Sequence, residues 1–128
     1  NSSFNSHKVL TNLFLDRIIS NILREKNVKQ YKNILLKQDW ENIKPAFPVT
    51  SGGLHPGLVP DILDIYGKDS VMLVSGGIHG HPKGTRAGAM ATMQAIEATK
   101  KKISLEEYAK TNKELREALE KWGRLKPR

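Results

Sequence analysis

FPVTSGGLH at residues 47–55 and VMLVSGGIH at residues 71–79 are two copies of one pattern, 24 residues apart. Each copy is a short, mostly apolar run that ends in Ser-Gly-Gly and continues with a large aliphatic residue and a histidine. Such a run closed by glycines is typical of a buried strand followed by a tight turn. The pattern therefore predicts strands over Phe47–Thr50 and Val71–Val74, each followed by a glycine turn.

The segment between the two copies has helical spacing. Leu58, Ile62 and Ile65 fall at i, i+4 and i+7, and Gly67 follows as the residue expected to end the helix. Strand, helix and strand make a βαβ unit, in which the two strands are parallel and the crossover is right-handed. Because the carboxyl ends of parallel strands meet at one edge of a sheet, the two glycine turns are predicted to be neighbours in space.

The paired turns have the composition of an anion-binding site. Glycine has no Cβ, so the main chain can adopt positive φ and an anion can approach its N–H groups closely. Phosphate is commonly held in this way, and in (β/α)8 barrels it lies against the loops after strands 7 and 8. A single Gly-Gly pair is more simply explained as a tight strand-to-helix turn, whereas two equivalent copies favour phosphate. The candidate phosphate-binding residues are Ser51, Gly52, Gly53, Ser75, Gly76 and Gly77.

The composition is that of a soluble globular chain. Of the 128 residues, 38% are apolar and 27% are charged, and there is no cysteine, so disorder and a disulfide framework are both disfavoured. The net charge of +8 arises mainly outside the region of the glycine turns, and no nucleic-acid partner is predicted. The most apolar stretch, Val9–Leu23, contains Asp16 and Arg17 and is shorter than the roughly 20 residues of a membrane span. We therefore expect a cytoplasmic protein with no membrane association.

Further elements are predicted on both sides of the doubled pattern. The apolar spacing within Val9–Leu23 predicts a buried first helix, and Val28–Glu41 is predicted to be an irregular connection. After the second glycine turn, Thr85 is the predicted N-cap of another helix. The inward face of that helix is expected to contain Ala89, Met90, Met93 and Ile96.

Two capping boxes follow in the last quarter of the chain. They run from Ser104 to Glu107 and from Thr111 to Glu114, and each predicts the start of a helical segment. The second segment is predicted to end at Gly123. Its apolar stripe consists of Leu115, Ala118, Leu119 and Trp122.

Two strands with open edges do not make a stable sheet, which indicates that this chain is part of a larger fold. A TIM (β/α)8 barrel takes about 250 residues, so two βα units correspond to roughly its last quarter. The predicted fold class is α/β, as the C-terminal portion of such a barrel, with further sequence expected upstream of Asn1. Residues 1–44 are assigned to a helix and connection before barrel strand 7, residues 45–103 to βα units 7 and 8, and residues 104–128 to a C-terminal helical extension.

Two rival sites are weaker. His55, His79 and His81 could bind a metal ion, since the last two would point the same way from an extended segment. No acidic residue is placed with them, and hydrogen bonds within loops are the simpler role. Residues 76–85 differ from a nucleotide P-loop because they contain Lys-Gly-Thr in place of Gly-Lys-Thr. No metal ligands and no catalytic residues are predicted in this chain.

Longer stretches resemble one enzyme family. Residues 47–57 and 75–89 are similar to the large chain of ribulose-1,5-bisphosphate carboxylase near its C-terminus, and residues 105–123 resemble the archaeal type III forms more than the plant forms. The resemblance implies that the two predicted strands are barrel strands 7 and 8. It also implies that the glycine turns hold the C1 phosphate of ribulose 1,5-bisphosphate. Mg²⁺ is the implied cofactor of the complete enzyme, with its ligands and the catalytic lysines upstream of this chain.

The resemblance implies CO2 fixation onto ribulose 1,5-bisphosphate, giving 3-phosphoglycerate, by an enzyme of which this chain is a non-catalytic fragment. The implied partners are the remainder of the large chain and a second subunit in a homodimer-based assembly. Members of the family usually have a third glycine where this chain has Ser75 and a glutamine where it has Leu73. These departures leave a second hypothesis, a carboxylase-like enolase acting on a methylthio-diketo-pentyl phosphate. A third hypothesis is an inert truncated or association fragment.

Overall fold

The computed structural model describes residues 27–28, 38–39, 41–42 and 44–124. The chain divides into two compact units. The first contains the described residues up to Val49 together with Ile65–Val71, and the second contains Thr50–Asp64 and the described residues from Met72 onward. The predicted first helix, Val9–Leu23, lies outside the described residues.

The first unit contains a two-stranded antiparallel sheet of β1 (Asn27–Val28) and β2 (Gln38–Asp39). In its register Asn27 lies opposite Asp39 and Val28 opposite Gln38. The prediction of an irregular connection over Val28–Glu41 is therefore wrong at these two strands. Two-residue strands are too short to show the alternation of apolar and polar residues that predicts a strand from sequence.

A second two-stranded sheet consists of β3 (Val49–Thr50) and β4 (Val71–Met72). Within the first unit, the Val71 N–H donates to the Pro48 carbonyl at 2.9 Å. Within the second unit, the Leu73 N–H donates to the Thr50 carbonyl at 2.9 Å. The two hydrogen bonds advance in the same direction along both strands, so the strands are parallel as predicted. Both strands are shorter than the predicted four residues.

A helical segment connects β3 to β4. Pro56–Leu58 form one turn of 3-10 helix, and α1 (Val59–Tyr66) continues from it. The helix ends at Gly67, whose φ of 74° confirms the predicted end. The predicted order of strand, helix and strand is therefore confirmed, and the chain has the predicted α/β class.

Four further helices belong to the second unit: α2 (Gly76–His79), α3 (Thr85–Lys100), α4 (Leu105–Ala109) and α5 (Lys113–Trp122). The predicted apolar stripe of α5 is confirmed where it is most buried, at Leu115 and Ala118. No helix in the described part of the chain is long and apolar enough to cross a membrane. The buried core of the second unit consists of Val59, Ala95, Ala98, Leu105, Ala109 and Leu115.

Helix α3 buries a different face from the predicted one. Met90 and Met93 are 43% and 64% exposed and Ala89 is also exposed, so of the predicted inward residues only Ile96 packs against the core. A Cβ on Gly88 would lie 2.1 Å from the Ile78 carbonyl oxygen, which shows how closely the helix approaches its neighbour. Small side chains permit that approach, so they occupy the buried face of the helix even though methionine is more hydrophobic. The buried residues of α3 are Gly88, Ala91, Thr92, Ala95 and Ala98.

The two predicted capping boxes have different outcomes. The Ser104 Oγ accepts a hydrogen bond from the Glu107 N–H at 3.2 Å, which confirms Ser104 as the N-cap of α4. The second box correctly predicts the start of α5, but its capping residue is wrong, because the N-cap is Asn112 and not Thr111. The Thr111 hydroxyl instead donates to the carbonyl of Tyr108 in the preceding turn, at 3.4 Å. Local hydrogen bonds of this kind compete with capping.

We expect the Ser104→Ala substitution to lower the free energy of unfolding by about 1 kcal/mol, because it removes the acceptor for the Glu107 N–H. Thr111→Ala is the matched control, since it removes a hydroxyl from an exposed residue that does not cap a helix. Its effect is expected to stay within about 0.5 kcal/mol. Urea denaturation followed by circular dichroism measures the free energy of unfolding of both variants. Equal destabilisation by the two substitutions would contradict the assignment of the caps.

Candidate phosphate-binding turns

The first glycine turn, Ser51 to Gly53, follows β3. Gly52 and Gly53 have φ values of 89° and 64°, the left-handed conformation expected of glycine in a tight turn. All three residues are exposed. No atom beyond the adjacent residues lies within 4 Å of the position that a Cβ on Gly52 would occupy. The main chain of this turn is therefore accessible to a ligand.

The second glycine turn, Ser75 to Gly77, leads into α2. Ser75 is the N-cap of that helix. Its φ of −105° is an ordinary value for a residue with a side chain, so serine fits here without backbone strain. Gly76 is exposed, and no atom beyond its neighbours in the chain lies within 4 Å of the position of an added Cβ. Gly77 is buried, unlike the five other candidate residues of the two turns.

The two turns lie against each other. A Cβ on Gly77 would meet the carbonyl oxygen of Leu54 at 2.4 Å and the Cα of His55 at 2.6 Å. These are main-chain atoms directly after the first turn, so the predicted proximity of the turns is confirmed. The contact also gives Gly77 a packing role, which explains a glycine at this position without a ligand.

Main-chain donors are available on both turns. Within the part of the chain that the structure describes, the N–H groups of Gly52, Gly53 and Gly76 have no hydrogen-bond acceptor. The first N–H groups of a helix have no partner inside the helix, which accounts for Gly76 at the start of α2. Donors from two adjoining turns suit an anion that presents several oxygen atoms.

The histidines do not form the extended pair considered for a metal site. His79 ends α2 and is exposed, whereas His81 is only 4% exposed. The His81 Nε2 lies 2.9 Å from the Glu114 carbonyl oxygen, and its Nδ1 accepts the Lys83 N–H at 3.1 Å. Both ring nitrogens are thus engaged by the main chain, which indicates a structural role. The described residues contain no cluster of three side chains that could hold a metal ion.

The predicted N-cap at Thr85 is wrong. Gly84 is the N-cap of α3, with a φ of 83°, and Thr85 is the first helical residue. The Thr85 Oγ1 instead lies 3.2 Å from the Nδ1 of His79 at the end of α2. The hydroxyl therefore connects α2 and α3 rather than capping α3.

Helix α5 contacts the segments that leave both glycine turns, which the sequence does not signal. The ring of Trp122 stacks on His55, with centroids 5.8 Å apart and planes inclined by 17°. The Lys121 Nζ donates to the Gly80 carbonyl at the end of α2. The sequence predicts Trp122 only as a packing residue of an apolar stripe. Its partners are distant in sequence, so no local pattern reveals them.

A side-chain network joins α5 to α3. The Glu114 carboxylate accepts from the Gln94 Nε2 at 2.8 Å, and the Gln94 Oε1 accepts the Leu115 N–H at 2.9 Å. The hydrogen bond from Gln94 is the main reason that the pKa of Glu114 is lowered. A lowered pKa in the folded chain means that the carboxylate stabilises the fold at neutral pH. That contribution is lost as the pH falls through the pKa.

Most of the chain matches one protein family. Residues 2–122 match the family model of the ribulose bisphosphate carboxylase large chain, catalytic domain. The ribulose bisphosphate carboxylase of Pyrococcus abyssi is 52% identical over 101 residues, which is 79% of this chain. The chain belongs to the ribulose bisphosphate carboxylase large-chain family. It spans about a quarter of the length of such relatives, covering 24% of the Pyrococcus abyssi protein.

Solved structures of this family have the same fold. A dimeric archaeal Rubisco from Hyperthermus butylicus superposes with a TM-score of 0.76 at 52% identity, covering 83% of this chain and 25% of that one. A rubisco-like protein from Alicyclobacillus acidocaldarius gives a TM-score of 0.62 at 49% identity, covering 64% of this chain and 21% of that one. The predicted similarity to archaeal forms of the family is therefore confirmed.

Proposed function

We propose that this chain is the C-terminal part of a ribulose bisphosphate carboxylase-type enzyme and contributes half of its sugar-phosphate cradle. One observation carries the proposal: two glycine turns with accessible main-chain donors lie against each other at the ends of parallel strands. Membership of the family supplies the substrate, ribulose 1,5-bisphosphate. The strands β3 and β4 are then strands 7 and 8 of a (β/α)8 barrel, where phosphate is commonly bound.

The role of the chain in this proposal is to bind and orient the substrate. The N–H groups of Gly52, Gly53 and Gly76 donate to the oxygen atoms of the C1 phosphate, and the exposed hydroxyls of Ser51 and Ser75 lie on the same two turns. Main-chain donors cannot move far, so they hold the phosphate without reorganising. Fixing one end of the sugar restricts the positions of its reacting carbons. The reaction joins one ribulose 1,5-bisphosphate, one CO2 and one water to give two molecules of 3-phosphoglycerate.

The Mg²⁺ implied for the complete enzyme does not fit the described residues, since they contain no cluster of three suitable ligands. Its ligands and the groups that transfer protons are therefore assigned to the remainder of the enzyme. In isolation, the chain is expected to be inactive.

Exposed apolar side chains support the proposal that a barrel continues beyond this chain. In the first unit Phe47, Val49 and Val71 are 67%, 61% and 48% exposed, although they lie on or beside strands. Such a surface is unfavourable in water and suits burial inside a larger fold. The dimeric state of the Hyperthermus butylicus protein further suggests that the complete enzyme assembles from pairs of large chains.

The proposal is tested with a chimera in which this chain replaces the matching quarter of the Pyrococcus abyssi enzyme. We expect the chimera to form 3-phosphoglycerate from ribulose 1,5-bisphosphate only when CO2 is supplied. The parent enzyme is the positive control, and a parent truncated before the matching segment is the negative control. A chimera that folds and assembles like the parent, yet forms no 3-phosphoglycerate, would reject the carboxylase function.

A second candidate is a carboxylase-like enolase that acts on a methylthio-diketo-pentyl phosphate. Leu73 and Ser75, where carboxylases usually have glutamine and glycine, favour it, as does the similarity to a rubisco-like protein. A single phosphate group suffices for that substrate. The same chimera distinguishes the candidates. Enolisation of the methylthio-diketo-pentyl phosphate, without any requirement for CO2, would favour the enolase.

We expect Gly76→Ala to weaken phosphate binding by about tenfold, equivalent to roughly 1.4 kcal/mol, without destabilising the chain. The added Cβ contacts no atom of the described chain outside the adjacent residues and the backbone of α2, and it projects into the space open to a ligand. Alanine also has a higher helix propensity than glycine, so the free energy of unfolding should be unchanged or raised by up to about 1 kcal/mol. Amide chemical shifts measured during titration with ribulose 1,5-bisphosphate give the affinity, and unchanged affinity would remove Gly76 from the site.

A further inference from the structure

The C-terminal helix α5 contacts the exits of both glycine turns. At its C-terminal end, Trp122 stacks on His55, two residues after the first turn. A Cβ on Gly57 would lie 2.0 Å from the carbonyl oxygen of Gly123, so the main chain after the first turn abuts the end of α5. The same indole ring lies next to the end of α2, the helix that leaves the second turn, because a Cβ on Gly80 would approach it at 3.3 Å.

His81 supplies the most constrained of these contacts. Its Nε2 pairs with the Glu114 carbonyl in the first turn of α5, and its Nδ1 accepts the N–H of Lys83 in its own loop. Because Nδ1 accepts, Nε2 must be the protonated nitrogen, so the two bonds together require one neutral tautomer. His81 is 4% exposed, and the centroid of its ring lies 6.5 Å from that of Trp122. His81 therefore fixes the loop after α2 against α5 in a single orientation.

Helix α5 is itself anchored independently of the turns. Gln94 of α3 bonds both the carboxylate of Glu114 and the N–H of Leu115. Arg124, just after α5, lies 3.7 Å from Asp61 of α1. The hydrogen bonds from Gln94 and the buried side chains of Leu115 and Ala118 hold α5 in place, so it can act as a fixed reference for the two exits. The exposed ion pair of Arg124 adds little.

We propose that α5 positions the donors of the two glycine turns relative to each other, and that His81 and Trp122 are its positioning residues. The inference rests on the proposed phosphate-binding function. An anion held by both turns is bound tightly only if their N–H groups have the correct separation before it arrives. The Gly77 contact joins the turns directly, and α5 adds a second connection through His55, Gly80 and His81.

The test uses three substitutions at His81. His81→Ala removes both hydrogen bonds. His81→Gln keeps a donor that can reach the Glu114 carbonyl, and His81→Asn keeps an acceptor near the Lys83 N–H. We expect His81→Ala to weaken binding of ribulose 1,5-bisphosphate by on the order of tenfold, the lower end of what supporting residues contribute at metal sites. His81→Gln should restore most of the affinity, because it can keep the hydrogen bond to the Glu114 carbonyl, which connects the loop after α2 to α5. His81→Asn should not restore the affinity, because it keeps only the hydrogen bond within the loop.

Ser104→Ala is the control for stability, because it is expected to destabilise the chain at α4 without touching either turn. Its affinity for ribulose 1,5-bisphosphate should equal that of the parent chain. An equal loss of affinity in Ser104→Ala and His81→Ala would show that lost stability, and not lost positioning, weakens binding. Unchanged affinity in His81→Ala would overturn the proposal.

A measurement without ligand separates this inference from the phosphate function. In His81→Ala the amide resonances of Leu54 and His55, which lie after the other turn, should shift, and those of Gly52 and Gly53 should broaden. These changes are expected even if neither ribulose 1,5-bisphosphate nor inorganic phosphate perturbs the parent chain, a result that would reject only the phosphate function. Resonances of residues 51–55 that stay unchanged in His81→Ala and in Trp122→Leu would show that α5 does not position the first turn.

Discussion

The Gly77→Ala variant is expected to be less stable than the parent chain by about 1–3 kcal/mol and to bind ribulose 1,5-bisphosphate more weakly. The added Cβ would lie 2.4 Å from the Leu54 carbonyl oxygen and 2.6 Å from the His55 Cα. Both are main-chain atoms, so no side-chain rotation can relieve the overlap. The two turns must move apart, which changes the separation of the donors on Gly52 and Gly76.

Gly76→Ala is the matched control, because it makes the same chemical change one residue earlier, where no described atom outside the adjacent residues and the backbone of α2 lies within 4 Å. The pair separates packing from ligand contact: only Gly77→Ala should lower the free energy of unfolding, whereas both should weaken binding. Urea denaturation gives the stability and titration of the amide resonances gives the affinity. A Gly77→Ala variant as stable as Gly76→Ala would mean that the turns are not in contact.

Leu115→Ala is expected to lower the free energy of unfolding by about 2–5 kcal/mol. Leu115 is fully buried in the core of the second unit, where it packs with Val59 and Leu105. Removing its terminal methyl groups leaves a cavity that the short helices around it can fill only partly. Because Leu115 lies on α5, its loss should also loosen the contacts of that helix with the glycine turns.

Leu73→Ala is the control for this change, since it removes the same atoms from a side chain that is 57% exposed. Its effect on unfolding is expected to be within about 0.5 kcal/mol. The difference between the two midpoints of urea denaturation measures the contribution of burial. Similar midpoints for both variants would show that the core is not centred on α5.

Some features of the fold and of the candidate site follow from short stretches of sequence. The repeated Ser-Gly-Gly pattern predicts the two turns after β3 and β4, and the helical spacing before Gly67 predicts α1. The cap at Ser104 is equally local, because its partner is three residues away. Each of these features depends on the backbone preferences of single residues or on periodicity over a few residues, and both can be recognised in the sequence.

Other features depend on which segments meet. Helix α3 buries the face with small side chains and leaves Met90 exposed, and this choice depends on how closely the helix approaches its neighbours. Periodicity alone favours the larger hydrophobic residues, so the prediction for this helix was wrong.

By itself, the sequence predicted the α/β class, the doubled glycine turn, the family and six candidate residues, without indicating which of the six are exposed. Only the tertiary structure distinguished Gly77, which packs against the main chain after the first turn, from Gly76, which faces open space. It alone brought His81 to Glu114, 33 residues away, and Trp122 to His55. The physical reason is range: a turn or a cap is stabilised by atoms a few residues apart, whereas a packing contact depends on the positions of whole elements.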